Sequence, residues 1–216
     1  MADDLFDVYE DYRRSKHFNH LRADGIKLVE GRGPTRAPIG LMVVGEAPDA
    51  MSSNNSAPFS GRTGAVLDQL LGIAGFTRQD VFLTYVVKYR TPGNRPPMPK
   101  EVMRSQRYLR REWLALRPKV TVALGESAAA ALDVEGVSHG VLNPWFYDQE
   151  SSIQHLVAAV YPLAFGLKSH KARSWIGKEW TLLGEEIREF RPDILCKTCH
   201  GRGPRGKQDC SCVTPF

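Results

Sequence analysis

The chain has 216 residues, 42% of them apolar and 25% charged, and its 29 basic and 24 acidic side chains leave a net charge of +5. This length and composition predict one ordinary globular domain, and they exclude a disordered chain, a collagen-like fibre and a disulfide mini-protein. The modest positive charge allows a polyanionic partner without requiring one.

The predicted sheet domain begins after an N-terminal segment, residues 1–35, which we expect to be a helical extension. Its first 20 residues are acidic, with five acidic and three basic side chains. Its first residues lack the basic and apolar regions of a signal peptide. The longest stretch without a charged residue, 151–167, contains Pro162 and is shorter than the roughly 20 residues of a membrane span. We therefore expect a cytoplasmic protein without a membrane partner.

Strands and helices are predicted to alternate from residue 41 onwards. Short apolar or β-branched runs predict strands at 41–45, 81–87, 120–124 and 156–161. Apolar residues at helical spacing, or runs of alanine, predict helices at 62–75, 100–116, 127–132 and 172–190. Four prolines and a glycine make 91–99 a rigid loop, and 136–150 is predicted to be an irregular insertion.

This alternation predicts a three-layer α/β/α domain over 36–190, with a central four-stranded parallel sheet and a small Cys-rich extension at 191–216. Ligands of such sheets bind beyond the carboxyl ends of the strands. The candidate site is therefore expected in the loops that follow the four strands.

Positive charge is concentrated in two segments. Residues 100–119 carry seven basic and two acidic side chains, and the tail from 191 carries five basic and two acidic ones. The two segments are either surfaces for an anionic partner or a solvated helix face and a solubilising tail.

Four ordered segments resemble motifs of the uracil-DNA glycosylase superfamily, and in particular its family 4 enzymes from bacteria and archaea. They are Val43–Pro48 together with Pro58–Gly64, Val81–Pro96, Arg117–Gly125 and Val160–Pro162. The resemblance covers roughly residues 40–190 and implies the same three-layer fold. It also implies an enzyme that flips a base out of DNA and hydrolyses its N-glycosidic bond.

The resemblance assigns roles to residues after the first strand. Glu46 matches the carboxylate that stabilises the sugar cation or orients water, and Asp49 is a second catalytic candidate. Phe59 is the ring on which the flipped base stacks, and Ala47 also belongs to the base site. The alternatives are a capping role for Glu46 and a core position for Phe59.

Two tyrosines stand where the resemblance implies residues that bind the base. Tyr85 replaces an Asn that reads the edge of uracil, and Tyr161 replaces the His of a His-Pro loop, where its phenol can still donate a hydrogen bond. The sequence therefore predicts a DNA glycosylase for a uracil-like or modified base. The alternative is an inactive DNA-binding homologue.

The resemblance also implies a family iron–sulfur cluster, which needs four cysteines. Tyr89 and Ser105 occupy two of the matching positions, and no cysteine precedes Val43. We therefore expect no iron–sulfur cluster in this chain.

The expected partner is DNA, bound by a monomer. Leu163 or Phe165 is the candidate wedge that fills the hole left by the flipped base, unless both pack in the core. Further candidate DNA contacts lie near the site loops: Arg62, Lys88, Pro162, Lys168, His170, Lys171 and Arg173.

All four cysteines lie in the tail. Cys196 and Cys199 form a C-x-x-C pair followed by two glycines, which resembles half of the zinc module of DnaJ-type chaperones, and Cys210 and Cys212 form a second pair. Four thiolates can hold a structural zinc ion. A disordered thiol tail and a redox pair remain the alternatives.

Overall fold

The computed structural model describes residues 4–134, 139–145 and 155–194. Its strands are β1 (Leu41–Gly45), β2 (Val81–Tyr85), β3 (Val120–Leu124), β4 (Asn143–Trp145) and β5 (His155–Val160). Its helices are α1 (Leu5–Arg14), α2 (Lys16–Ala23), α3 (Ala50–Asn54), α4 (Gly61–Ala74), α5 (Pro99–Leu116), α6 (Glu126–Ala131), α7 (Leu163–Gly166) and α8 (His170–Phe190). None of the helices in these ranges has the length and apolar character that a bilayer crossing requires.

The sheet has the strand order β2-β1-β3-β5-β4. β1 pairs in parallel with β2 and β3, and β3 pairs in parallel with β5, so the predicted four-stranded parallel core is confirmed. The prediction of an irregular insertion at 136–150 was wrong in part. Within it, β4 pairs antiparallel with β5 and adds an edge strand of three residues.

Alternation along each strand divides the core into two halves. On β1, Leu41 and Val43 pack into one apolar cluster, whereas Met42 and Val44 pack into the other. Successive side chains of a strand point to opposite faces, so a strand buried on both sides reads as a continuous apolar run. This explains why no Asp, Glu, Lys or Arg occurs within the sequences of the four parallel strands.

The helices cover the two faces of the sheet. α4 and α8 lie on one face and approach closely, because a Cβ at Gly184 would be 2.9 Å from the Cα of Ala74. α5 covers the other face together with the N-terminal helices, where α1 buries Val8 and Tyr12 in the second cluster. The N-terminal segment is thus helical only over residues 5–14 and 16–23, which pack on the sheet domain, whereas 24–35 form no helix and Arg32 makes an isolated bridge to Leu83. The cysteine tail and its predicted zinc site lie outside the described residues.

Candidate active site

The carboxyl ends of the parallel strands meet at one edge of the sheet. Gly45 at the end of β1 is in register with Tyr85 at the end of β2. On the other side, the N–H of Gly125 after β3 donates to the carbonyl of Val160 at the end of β5, at 2.9 Å. The loops predicted to form the site are therefore neighbours in space.

Glu46 reaches from β1 across to the turn between β3 and α6. Its Oε1 accepts a hydrogen bond from the N–H of Ser127 at 3.1 Å. The carboxylate lies so close to Gly125 that a Cβ there would be 2.9 Å from the carboxyl carbon, and Gly125 has a φ of +92° that disfavours other residues. Oε2 makes no hydrogen bond to another described residue, so the carboxylate is anchored by one oxygen.

Asp49 holds the ends of two helices. Its Oδ1 accepts from the N–H of Ser52 at 2.8 Å, as the N-cap of α3, and its Oδ2 accepts from the hydroxyl of Thr63 at 2.9 Å. Because both oxygens are engaged in these contacts, Asp49 positions the loop that carries Phe59. Its catalytic assignment stays a prediction.

Phe59 and Tyr85, the two predicted base-binding rings, pack against each other at a tilt. Their centroids are 4.6 Å apart with an interplanar angle of 32°. Gly45 makes this possible, because a Cβ there would be 2.8 Å from the Phe59 ring and 2.9 Å from the Tyr85 ring. Phe59 is 4% exposed and Tyr85 is 3% exposed. Tyr85 thus covers a ring on which a base is expected to stack.

The backbone of Phe59 is fixed from two sides. Its N–H donates to the Tyr85 hydroxyl at 2.8 Å, and its carbonyl accepts from the Arg78 guanidinium at 2.7 Å. The Tyr85 hydroxyl in turn donates to Ser52 Oγ at 3.2 Å. Burial raises the pKa of Tyr85 to about 12, so the phenol keeps its proton well into the alkaline range. These contacts hold Phe59 at a positive φ of 52°.

The interpretation of Lys88 as a DNA contact was wrong, because its side chain is fully buried. Its ammonium donates to Glu112 Oε2 at 2.6 Å and to Thr84 Oγ1 at 2.8 Å. Burial lowers the pKa of Lys88, and the adjacent Glu112 carboxylate opposes this shift. The Tyr9 hydroxyl also donates to Glu112, so α1, β2 and α5 are joined by one buried network.

Apart from Leu163, the other predicted DNA contacts lie at the surface or at its margin. Leu163 is 4% exposed and packs in the first core cluster, so in this structure it does not project as a wedge. Phe165 and Pro162 are partly buried, whereas Tyr161 is 37% exposed. The charged candidates are exposed: Arg62, Lys168, His170, Lys171 and Arg173.

The positions that match cluster cysteines do not fit an iron–sulfur cluster. Fe–S clusters require thiolate ligands. The Tyr89 hydroxyl instead hydrogen-bonds His17 Nε2 at 2.8 Å, and Ser105 Oγ hydrogen-bonds the Tyr12 hydroxyl at 2.9 Å. The N-terminal helices therefore meet α5 and the end of β2 through polar contacts at these two positions. In the described part of the chain, no group of three His, Cys, Asp or Glu side chains is arranged to bind a metal.

Sequence reasoning missed several residues that shape the site. Arg78 and Ser52 support Phe59, and neither belongs to a motif that would reveal it. Glu179 on α8 accepts from the N–H of Tyr161 at 3.2 Å and pairs with His139 at 2.8 Å, and burial raises the pKa of its carboxyl. Trp175 could have been identified from the sequence as a residue near the predicted DNA contacts, because it stands one helical turn after Lys171 on an exposed side of α8.

Comparison with known proteins agrees with this arrangement. The sequence model of the uracil DNA glycosylase superfamily matches residues 31–180. The chain is 43% identical over 172 residues to the type-4 uracil-DNA glycosylase of Archaeoglobus fulgidus, covering 77% of this chain and 85% of that protein. It is 30% identical over 186 residues to the type-4 uracil-DNA glycosylase of Saccharolobus solfataricus, covering 83% and 85%. The chain therefore belongs to the uracil-DNA glycosylase superfamily, within its type-4 branch.

Proposed function

We propose that the protein is a DNA glycosylase that hydrolyses the N-glycosidic bond of a flipped uracil-like or modified base, with Glu46 as its catalytic carboxylate. The observation that carries this proposal is the placement of Glu46. It lies at the carboxyl end of β1, anchored through Oε1 to the Ser127 N–H and directly after the glycine over which Phe59 and Tyr85 stack. Type-4 relatives named as uracil-DNA glycosylases support the same activity class.

The chemistry requires charge stabilisation on both sides of the bond that breaks. As the bond from C1′ to the base nitrogen breaks, its electron pair leaves with the base and positive charge develops on the sugar. The oxygen of a water molecule then forms the new bond to C1′, and the proton that this water loses neutralises the departing base anion. The Glu46 carboxylate is suited to stabilise the sugar cation or to orient that water, because its second oxygen is not engaged by another described residue.

The choice of base is proposed to depend on Tyr85. A base can stack on the covered face of Phe59 only if the Tyr85 ring moves away, because the two rings are in contact and almost fully buried. A single phenol also cannot make the two-point contact of an amide. Tyr85 is therefore proposed to disfavour uracil relative to other uracil-like or modified bases.

An oligonucleotide panel tests the activity. DNA strands with uracil, hypoxanthine, xanthine or modified pyrimidines are incubated with the protein and assayed for abasic sites. We expect product from at least one base, and Glu46→Gln should lower its rate by at least about 100-fold. Glu126→Gln is the matched control, because Glu126 is an exposed carboxylate beside the same turn and should leave the rate unchanged. Full activity in Glu46→Gln would refute the role of Glu46.

A catalytically silent DNA-binding homologue is the second candidate. The close contact between the Phe59 and Tyr85 rings, with almost no exposed ring surface, favours it. Intact DNA binding with no abasic product from any base in the panel would support this candidate and exclude the enzyme.

For the tail we propose a structural zinc ion held by Cys196, Cys199, Cys210 and Cys212. Its support is the spacing of the four cysteines, which lie outside the described residues. Metal analysis of the purified protein should give about one zinc per chain, and Cys196→Ser should reduce it, whereas Ser211→Ala between the second pair should not. Equal zinc in wild type and Cys196→Ser would reject Cys196 as a ligand.

A further inference from the structure

We propose that a basic cavity between α2 and α5 binds a small ligand with two adjacent phosphate groups, such as inorganic pyrophosphate or a nucleoside diphosphate. The basic cavity has a volume of about 600 Å³, and its basic lining residues are Lys16, His17, His20, Arg104 and Arg107. Clefts of this size hold small ligands in other proteins. None of these residues belongs to the candidate active site, so the proposal goes beyond base excision.

The charged side chains that line the basic cavity are all positive. Lys16, Arg104 and Arg107 are cationic at neutral pH, and the two histidines add positive charge when they are protonated. No Asp or Glu lines the cavity. Within the described ranges of the chain, Arg104 bonds to His17 and Arg107 bonds to Tyr108, and neither arginine pairs with a carboxylate. The positive charge of the cavity is therefore not balanced by the protein.

Glu101 lies at the end of the hydrogen bonds that start at His17, but it already has a cationic partner. His17 Nε2 hydrogen-bonds the Tyr89 hydroxyl at 2.8 Å, and that hydroxyl donates to Glu101 at 3.3 Å. The same carboxylate accepts from the Arg95 guanidinium at 2.7 and 3.0 Å. Burial, and after it the charge of Arg104, holds the pKa of His17 below its usual value. Glu101 thus neutralises Arg95 and leaves the charge of the basic cavity for a ligand.

Packing fixes the two walls of the basic cavity before any ligand binds. The Tyr12 hydroxyl at the end of α1 hydrogen-bonds Ser105 Oγ of α5 at 2.9 Å, and the rings of Tyr12 and Tyr108 have centroids 4.4 Å apart. Only Ser15 separates α1 from α2, and its hydroxyl accepts from the N–H of Phe18, whose ring is buried. Walls that are already ordered reduce the entropy lost on binding.

The amount of charge decides how many phosphate groups the ligand carries. Lys16, Arg104 and Arg107 together carry a charge of +3, whereas one phosphate group carries about 1.5–2 negative charges at neutral pH. Two phosphate groups therefore balance the basic cavity, and one does not. Arg104 and Arg107 are three positions apart on α5, which places their Cβ atoms about 5–6 Å apart. Both guanidinium groups can therefore bind neighbouring phosphates of one ligand.

A nucleic-acid backbone fits this arrangement less well. A strand of DNA carries single charges spaced about 3.4 Å apart along the helix axis, and the proteins that bind it place their cations along its path. Here the cations come from two helices and surround one recess. This convergence favours a compact ligand with concentrated charge.

Isothermal titration calorimetry of the full chain tests the proposal, in a buffer without phosphate or divalent cations. We expect about one pyrophosphate per chain, bound at least about tenfold more tightly than orthophosphate, because orthophosphate balances only part of the charge. Adenosine diphosphate should also bind, and adenosine should not. An affinity for adenosine diphosphate above that for pyrophosphate would identify a nucleoside diphosphate as the ligand, and the reverse order would identify the inorganic anion.

Arg104→Gln and Arg107→Gln should each weaken pyrophosphate binding by at least about fivefold, because each removes charge-assisted hydrogen bonds. Arg117→Gln is the matched control. It removes the same charge from an exposed residue at the end of α5, about 20 Å along the helix from Arg104, and should change the affinity by less than about twofold. Thermal melts followed by circular dichroism establish that the variants are folded.

No heat of pyrophosphate binding in wild type would overturn the proposal, as would equal binding by wild type and folded Arg104→Gln and Arg107→Gln variants. Fluorescence anisotropy with a labelled oligothymidine strand tests the nucleic-acid alternative. If Arg104→Gln weakened DNA binding as much as pyrophosphate binding, the basic cavity would be a backbone contact and the proposal would be wrong. These measurements do not involve base excision, so an inactive protein with the expected binding would count against the proposed function alone.

Discussion

Replacing Tyr85 with asparagine should open the base site. In the structure the Tyr85 ring lies 4.6 Å from that of Phe59 and is 3% exposed, so it fills the space in front of the stacking ring. Asparagine removes the ring and supplies an amide with both donors and an acceptor. Tyr85→Phe is the matched control, because it removes the hydroxyl but keeps the ring that covers Phe59.

Each substitution should destabilise the fold through the hydrogen bond or the packing that it removes. Tyr85→Phe leaves the buried N–H of Phe59 without its partner at 2.8 Å, which costs about 1–3 kcal/mol. Tyr85→Asn also removes the packed ring, and removing a buried aromatic ring costs about 3–5 kcal/mol. For a chain of this length each kcal/mol lowers the melting temperature by about 2–4 °C. The expected decreases are therefore about 2–12 °C for Tyr85→Phe and, with both losses together, about 8–32 °C for Tyr85→Asn.

The effect on activity separates the two variants. Single-turnover release of uracil from a labelled single strand is measured as alkali-labile abasic sites, well below the melting temperature of each variant. We expect Tyr85→Asn to release uracil at least about tenfold faster than wild type, because hydrogen-bond reading of a base edge can contribute far more than tenfold. Tyr85→Phe should show no gain.

A folded Tyr85→Asn variant with no increase in uracil release would refute the idea that Tyr85 occupies the base position. An equal gain in Tyr85→Phe would refute it as well, because the loosened Phe59 loop rather than the missing ring would then be the cause.

Three further predictions concern the scaffold around the site. Lys88→Met should lower the free energy of unfolding in urea by about 3–5 kcal/mol, because it leaves the Glu112 carboxylate buried without its ammonium partner, and adding Glu112→Leu should recover only part of this loss, because the Tyr9 and Thr84 hydroxyls then lose their acceptor. If Lys88→Met alone were as stable as wild type, the buried ion pair would not stabilise the fold and the prediction would be wrong. Gly64→Ala should destabilise and slow any base excision, because its Cβ would lie 1.8 Å from the Phe59 carbonyl oxygen, whereas Gly72→Ala in the same helix meets open space and should stabilise by up to about 1 kcal/mol. Equal melting temperatures of the two variants would contradict this contact. Above pH 10 the free energy of unfolding should fall by up to about 1.4 kcal/mol per pH unit for each buried tyrosine, because only the unfolded chain ionises it. The tyrosines whose pKa burial raises are Tyr9, Tyr12, Tyr85 and Tyr89. Phenolate absorbance should therefore appear together with loss of circular dichroism, and ionisation of all seven tyrosines near pH 10 in a folded protein would contradict the prediction.

The parallel core and the place of the site were predictable from the sequence. A strand buried on both faces must be apolar at consecutive positions, which is why 41–45 and 120–124 could be recognised without knowledge of their partners. Parallel strands end at a common edge, so the residues after them, Glu46 among these, could be placed together. β4 could not be predicted from the sequence, because a strand of three residues forms only through its pairing with β5.

The state of the site depended on contacts between residues far apart in the chain. Tyr85 and Phe59 are 26 positions apart, and only the approach of their loop and strand over Gly45 shows that one ring covers the other. Lys88 looked like a surface cation until α5 brought Glu112 against it. Phe165 and Trp175 became neighbours of Tyr161 because α7 and α8 fold back on the sheet. Local patterns of polarity determine which segments are buried, whereas the orientation of a side chain toward a site, a partner or the solvent is set by packing between elements.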